Sequence, residues 1–311
     1  MKLGLFLHGH FYEKLCGKPA FKYVNDENKK VRETHILSSG DLYRLTPEAV
    51  RLMLDCGVEC IELFNTPEKL NAIIPFLKDL NNIDIIIHEF DNCDGYPSTN
   101  TIAAANNYQL AVIRENLKWL IDIAMRMNAQ KIVLHTPRLD TLDFINKKID
   151  ADFVDTVRNK WLELLHTCSG FAEKCGVILA VENEVNKENE WHLIQCAEDL
   201  AAAVDEIHSP NVKCAFDVAH ANIGFSPLKY AQCLGERITH VHWHDNDGLK
   251  DQHLPPGKGN IDFTAVMKYL LAAEAKNREE ITLTLECDKP SVDYEAELRK
   301  VKIMRDKILR G

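Results

Sequence analysis

Five histidines and four carboxylates stand where a metal-dependent catalyst needs donors: His88, His135, Glu182, Asp217, His220, one of His240, His242 and His244, Asp251, His253 and Glu286. Imidazole with carboxylate and no thiolate suits Zn or Mn, with Co or Fe as alternatives. Nine donors exceed the roughly four to six that one such ion takes. They imply two or three divalent ions sharing a bridging carboxylate. Four further residues, His8, His10, Arg138 and Lys258, are candidates to orient a substrate at the rim.

Such donors work only if the backbone brings them together. Short strand-like runs, namely 2–7, 58–64, 83–88, 131–135, 177–183, 212–218, 238–244 and 281–286, alternate with amphipathic helical stretches. Side chains alternate along a strand, so parity selects the inward set. His88 shares a face with Ile86, His135 with Val133, Glu182 with Ala180 and Asp217 with Ala215. His240, His242 and His244 share another, while Leu283 and Leu285 turn Glu286 inward. The third to eighth strands therefore each end on an inward His, Asp or Glu. With 13 histidines and 47 acids among 311 residues, six consecutive strand ends of these types are not a chance pattern. His220 follows Asp217 at the mouth, and Asp251 and His253 lie in the loop after the seventh strand.

Eight strands, each followed by a helix, predict a single (β/α)8 barrel over residues 1–311, with its active site at the C-terminal strand ends. A doubly wound nucleotide-binding sheet is disfavoured, because the first turn, Leu7-His8-Gly9-His10, lacks a GxGxxG pattern. Thr46-Pro47, Thr66-Pro67 and Ser226-Pro227 read as helix starts, and Gly57 and Gly176 as helix ends. The long loop after the first strand, residues 9–45, exceeds the roughly 12–15 residues of an ordinary connection. It is expected to act as a lid, with a decorative or oligomer-contacting insertion as the alternative.

Composition narrows the function classes. The formal net charge is −10, which opposes a broad nucleic-acid footprint. No apolar run approaches the roughly 20 residues of a membrane span. Ten scattered cysteines without a CxxC pair read as reduced thiols, so a cytoplasmic location is expected.

At the donor residues the sequence resembles the xylose isomerase-like TIM-barrel superfamily, which includes endonuclease IV and sugar isomerases and epimerases. The resemblance rests on VEN at 181–183, FDVAH at 216–220, HVHWHDNDGLKDQHLPPGKGNID at 240–262 and LEC at 285–287. The endonuclease IV pattern implies three zinc ions. The first takes His88, His135 and Glu182; the second takes Glu182, Asp217, His242 and Glu286; the third takes His220, Asp251 and His253. The epimerase pattern implies a smaller centre of Glu182, Asp217, His242 and Glu286, in which the two glutamates also transfer protons. A dimer or tetramer is a further implication.

Two departures bear on the choice. The loop at 89–95 carries three acids where DNA phosphates would approach, and Gly248 stands where ketose 3-epimerases carry an arginine. The reading favoured is a metal-dependent isomerase or epimerase of a sugar, sugar phosphate or polyol ketone, working through an enediolate. A zinc-dependent endonuclease at abasic DNA is the alternative, and a non-catalytic metal-binding or partner-docking scaffold is the third. Two or three divalent ions would return positive charge to the mouth, so the acidic balance bears on the rim rather than the centre.

Overall fold

The computed structural model describes residues 1–7, 22–26, 29–33, 55, 57–64, 70, 83–89, 97–139, 148–185, 190–277, 279–287 and 292–311. Its strands in chain order are β1 (Lys2–Leu7), β2 (Lys22–Asp26), β3 (Lys29–Glu33), β4 (Cys60–Phe64), β5 (Asp84–His88) and β6 (Ala129–Leu134). They continue with β7 (Arg138–Leu139), β8 (Ile178–Glu182), β9 (Trp191–His192), β10 (Val212–Asp217), β11 (Ile238–Trp243) and β12 (Thr282–Leu285). Eight of them close a parallel barrel in the order β1-β12-β11-β10-β8-β6-β5-β4. The barrel strands are those the apolar runs predict, mostly trimmed by a residue or two. His135, His244 and Glu286 each sit one residue past a strand end.

Residues of the segment 9–45 form one element unforeseen in the sequence, an antiparallel ribbon of β2 and β3. Asn25 and Asp26 pair there with Lys30 and Lys29. The rest of the segment, on which the expected lid depends, lies outside the described residues.

Helices cover the barrel. The described ones are α1 (Asn107–Met127), α2 (Ala151–Cys175), α3 (Ala197–Glu206), α4 (Val218–Asn222), α5 (Pro227–Leu234), α6 (Phe263–Asn277) and α7 (Tyr294–Leu309). Their ends follow local chemistry. Asn106 and Gln109 form a reciprocal capping box on α1, and Asp150 caps α2, which ends on Gly176 at φ 67°. Pro227 opens α5 as expected, but Ser226 makes no side-chain capping bond. Thr46-Pro47 and Thr66-Pro67 lie outside the described residues.

Strand parity divides the core in two. Ile61, Leu63, Ile87, Leu179, Phe216, Val241 and Trp243 pack outward against helix residues such as Leu120, Trp161 and Leu270. Cys60, Ile86, Val133, Ala180 and Ala215 form a separate apolar layer. These are the residues whose parity places them inside the barrel. One inward position further along, each of these strands presents a polar side chain: Glu62, His88, His135, Glu182 and Asp217. The apolar layer is the floor of the polar cluster. Among the described residues Cys60, Cys168, Cys175, Cys196, Cys214 and Cys233 are free thiols, and no described helix is long and apolar enough to cross a membrane.

Candidate functional site

Glu182, the last residue of β8, stands at the centre of the cluster. Its Oε2 lies 3.5 Å from His88 Nε2 and 3.9 Å from His135 Nε2. Its Oε1 lies 2.8 Å from His242 Nδ1 and 3.6 Å from His220 Nδ1. One carboxylate thus faces two separate sets of histidines, the position a bridging ligand occupies. His242 Nδ1 is also 3.1 Å from Glu286 Oε2 and 3.6 Å from Asp217 Oδ2. Donor atoms of Glu182, Asp217, His242 and Glu286 all lie within 4.8 Å of one another, as do those of His88, His135 and Glu182.

The outer part of the cluster is less buried. Asp251 Oδ2 lies 3.2 Å from His253 Nε2 and 3.5 Å from His220 Nε2. Both Asp251 and His253 ride on the loop that follows β11, which is pinned by buried Asp245. The Asp245 carboxylate accepts N–H bonds from Gly257 at 2.9 Å, Gly259 at 2.8 Å, Asn246 at 2.9 Å and Ile261 at 3.4 Å. Its backbone pairs with Leu254 in both directions. Gly259 passes so close that a Cβ there would stand 2.0 Å from the Asn246 carbonyl oxygen, so only glycine fits. Gly248 adopts φ 82°, a left-handed turn position, which accounts for glycine there.

Backbone carbonyls set the ring orientations. A carbonyl only accepts, so the nitrogen facing it carries the proton and the other offers its lone pair. His88 Nδ1 donates to Glu89 O at 2.8 Å, His220 Nδ1 to Asn183 O at 2.8 Å, and His253 Nδ1 to Glu286 O at 2.9 Å. All three present Nε2 to the cluster. Asn183 also braces Asp217: its Oδ1 accepts the Asp217 N–H at 2.8 Å and its Nδ2 donates to Asp217 O at 2.9 Å. That fixes the strand end from which Asp217 projects.

The electrostatics are those of a site that attracts cations. Burial alone would raise the Glu182 carboxyl, but His242, His88 and His220 hold it well below the usual range. Asp217 is likewise held low against burial by His220, His244 and His242. Burial opposes the charged form of His88, yet Glu182 and Glu62 push it up to about 9. His253 rises to about 9 against burial because Asp251 and Glu286 face it. His244 Nδ1 and Asp251 Oδ1, 4.0 Å apart, are buried without a hydrogen-bond partner among the described residues. Buried atoms of this kind are costly unless a ligand satisfies them. The donor set, the ring orientations and these two atoms fit divalent metal ions.

Every one of the nine sequence-chosen donors enters the cluster. Of the four substrate-orienting candidates, Arg138 lies on β7, paired with His192 of β9 just beyond β6. Lys258 is exposed at the loop tip, and its side chain makes none of the cluster's contacts among the described residues. His8 and His10 lie outside the described residues. Two cluster residues, Glu184 and Glu62, escape the sequence reading, and His244, read there as inward, is not among the nine donors. His244 donates from Nε2 to Asp217 Oδ2 at 2.8 Å and stacks on His253 at 4.2 Å. Glu184 Oε1 stands 4.0 Å from His135 Nε2. Glu62, fully buried on β4, bonds both His240 and His242. Parity between Ile61 and Leu63 was the signal available for Glu62.

Comparison with known proteins gives the family. A D-psicose 3-epimerase from Enterocloster bolteae is 32% identical over 127 residues, 40% of this chain and 38% of that protein. An uncharacterized protein from Methanocaldococcus jannaschii is 27% identical over 200 residues, 62% of each chain. The chain therefore matches less than two thirds of the length of either relative. A 3-keto-D-glucoside 4-epimerase from E. coli superposes with a TM-score of 0.67 at 14% identity, covering 97% of this chain and 99% of that one. At that identity the likeness speaks for the fold alone. The sequence profile of the xylose isomerase-like TIM barrel matches residues 50–304, most of the closed barrel and every cluster residue named above. The chain belongs to the xylose isomerase-like TIM-barrel family.

Proposed function

We propose that the chain is a metal-dependent isomerase or epimerase acting on a sugar, a sugar phosphate or a related polyol ketone. The observation that carries this reading is that Glu182 and Glu286 flank one ring nitrogen, His242 Nδ1, at 2.8 and 3.1 Å, with Asp217 beside them. These four residues would hold the principal metal ion, the centre that the epimerase resemblance implies. The sugar epimerases among the relatives support the substrate class.

When bound, a divalent ion supplies polarisation of the substrate's carbonyl and adjacent hydroxyl oxygens, which acidifies the C–H between them. One glutamate removes that proton, and the C–H electron pair becomes the C=C bond of an enediolate. The other glutamate returns a proton to the carbon from the opposite face, restoring the ketone with inverted configuration. The floor of Ile86, Val133, Ala180 and Ala215 limits water beneath the reacting carbon. His88 and His135 would hold a second ion through Glu182, and His220, Asp251 and His253 a third.

The test is solvent-deuterium incorporation into a panel of ketoses by the metal-loaded protein, read by mass spectrometry. Glu286→Gln should abolish it. A full metal complement with no deuterium in any ketose would overturn the reading. The donors beyond the four-residue centre favour a second reading, phosphodiester hydrolysis at abasic DNA by a three-ion site. Cleavage of an abasic oligonucleotide by the same preparation would establish it. No cleavage by a fully zinc-loaded sample would remove it.

A further inference from the structure

His242 is the one ring of the four-residue centre, and it has no backbone carbonyl to set its orientation among the bonds described. Its Nε2 points the other way, into the barrel, at Glu62 Oε1, 3.0 Å distant. We propose that Glu62 is the positioning residue of this metal centre: its carboxylate accepts the Nε2–H of His242 and so presents the Nδ1 lone pair to the ion.

Two simpler roles account for less of this geometry. Donor atoms of Glu62, His88 and His242 also lie within 4.8 Å of one another, but as a ligand there Glu62 would leave the Nε2 side of His242 without its acceptor. Oε1 is taken by His242, while Oε2 accepts from Thr284 Oγ1 at 2.6 Å and lies 2.9 Å from His240 Nε2. As a structural filler of the barrel Glu62 would be a poor choice. A fully buried carboxylate is destabilising unless its partners satisfy it, and an apolar side chain of similar size would fill the space without that cost.

Its surroundings suit a fixed acceptor instead. Thr284 and His240 come from β12 and β11, and His240 is braced in turn through Nδ1 by Thr282 Oγ1 at 2.7 Å. Thr282 Oγ1 also accepts from buried Lys131 Nζ at 3.0 Å. A chain of hydrogen bonds thus runs up the barrel axis from Lys131 to the ligand ring. An ionised carboxylate accepts only, so it assigns the proton to Nε2, and an outer acceptor of this kind raises the basicity of the ligating nitrogen.

This inference rests on the metal-dependent reading above, and the experiment separates their failures. The Co2+-substituted protein is compared with its Glu62→Gln and Thr284→Val variants, by chelator competition and by visible absorption. The glutamine amide must turn a donor toward either His242 or the His240–Thr284 pair. Glu62→Gln is therefore expected to weaken Co2+ binding by about 10- to 100-fold and to shift the absorption bands. Thr284→Val, which leaves the His242 bond in place, should keep both near wild type.

Wild-type affinity and spectrum in Glu62→Gln would overturn the inference and leave the metal reading standing. A wild-type protein that binds no Co2+ overturns both. Nitrogen NMR of histidine-labelled, Zn2+-loaded wild type needs no variant to fold. It should show His242 protonated at Nε2 and metal-bound at Nδ1, and the reverse assignment refutes the proposal.

Discussion

Asp245→Asn should separate the inner from the outer half of the donor cluster. The buried carboxylate accepts from Gly257 and Gly259 through Oδ2, and from Asn246 and Ile261 through Oδ1. An amide has one acceptor oxygen, so in either orientation its NH2 group faces two backbone N–H donors. Two donors left without an acceptor cost about 1–3 kcal/mol each, and exchanging a charged for a neutral acceptor costs about 1 kcal/mol at each of the other two. The total, roughly 4–8 kcal/mol, rivals the whole stability of a typical domain. All four donors belong to the loop after β11 and its return to α6, so the strain is relieved by local opening rather than by unfolding the barrel.

Residues 246–261 should then exchange amide hydrogens faster, as read by hydrogen–deuterium exchange mass spectrometry. Metal content by elemental mass spectrometry should fall by the ion assigned to His220, Asp251 and His253. The ion assigned to Glu182, Asp217, His242 and Glu286 should remain. Unchanged exchange in the loop would refute the claim that this carboxylate pins it. Simultaneous loss of all metal would show that the two halves are one site.

Two further outcomes follow from the same geometry. Asn183→Ala leaves the Asp217 N–H and C=O without their partners in a fully buried setting, a cost of about 2–6 kcal/mol. Chemical denaturation should show that drop, and a loss under about 1 kcal/mol would count against the role given to Asn183. In the metal-free protein, His88 and His253 are raised from 6.5 to about 9, so the stability they contribute is full below pH 6.5 and is lost as the pH rises through about 9. Metal binding displaces those protons, so the Tm gap between loaded and metal-free protein should widen from about pH 6 to pH 9. A gap that narrows over that range contradicts the assignment of these rings as ligands.

The donors were legible because a strand's period of two is fixed by covalent geometry. Once Ile86, Val133, Ala180 and Ala215 are read as inward, His88, His135, Glu182 and Asp217 follow without tertiary information. Glu62 obeys the same rule between Ile61 and Leu63, but it lies within its strand, and attention to strand ends passes over it. What the sequence could not supply is the direction of carbonyls and the closure of loops. The Nε2 presentation of His88, His220 and His253 depends on the carbonyls of Glu89, Asn183 and Glu286, each placed by how a strand end turns. Asp245 reads as one acid among 47 until the loop brings Gly257 and Gly259 back to it. Gly248 shows the opposite case, a departure visible in sequence whose cause, a positive φ, is visible only in the fold.

The buried acids explain why the cluster belongs together. Glu62, Glu182 and Asp217 are at most 2% exposed, and three such carboxylates in one barrel would repel one another without compensation. The histidines between them supply part of that compensation, but protonated rings cannot ligate, and neutral rings cannot balance the charge. On the proposed reading a divalent ion would neutralise Glu182 and Asp217 while leaving the rings uncharged. Glu62 keeps its charge balanced through hydrogen bonds from His242, His240 and Thr284 instead. On that reading Glu182 and Asp217 would face the ion, and Glu62 would hold the ring that faces it. Glu286 is the least buried of the cluster's glutamates at 14% side-chain exposure, which suits the substrate-facing role proposed for it.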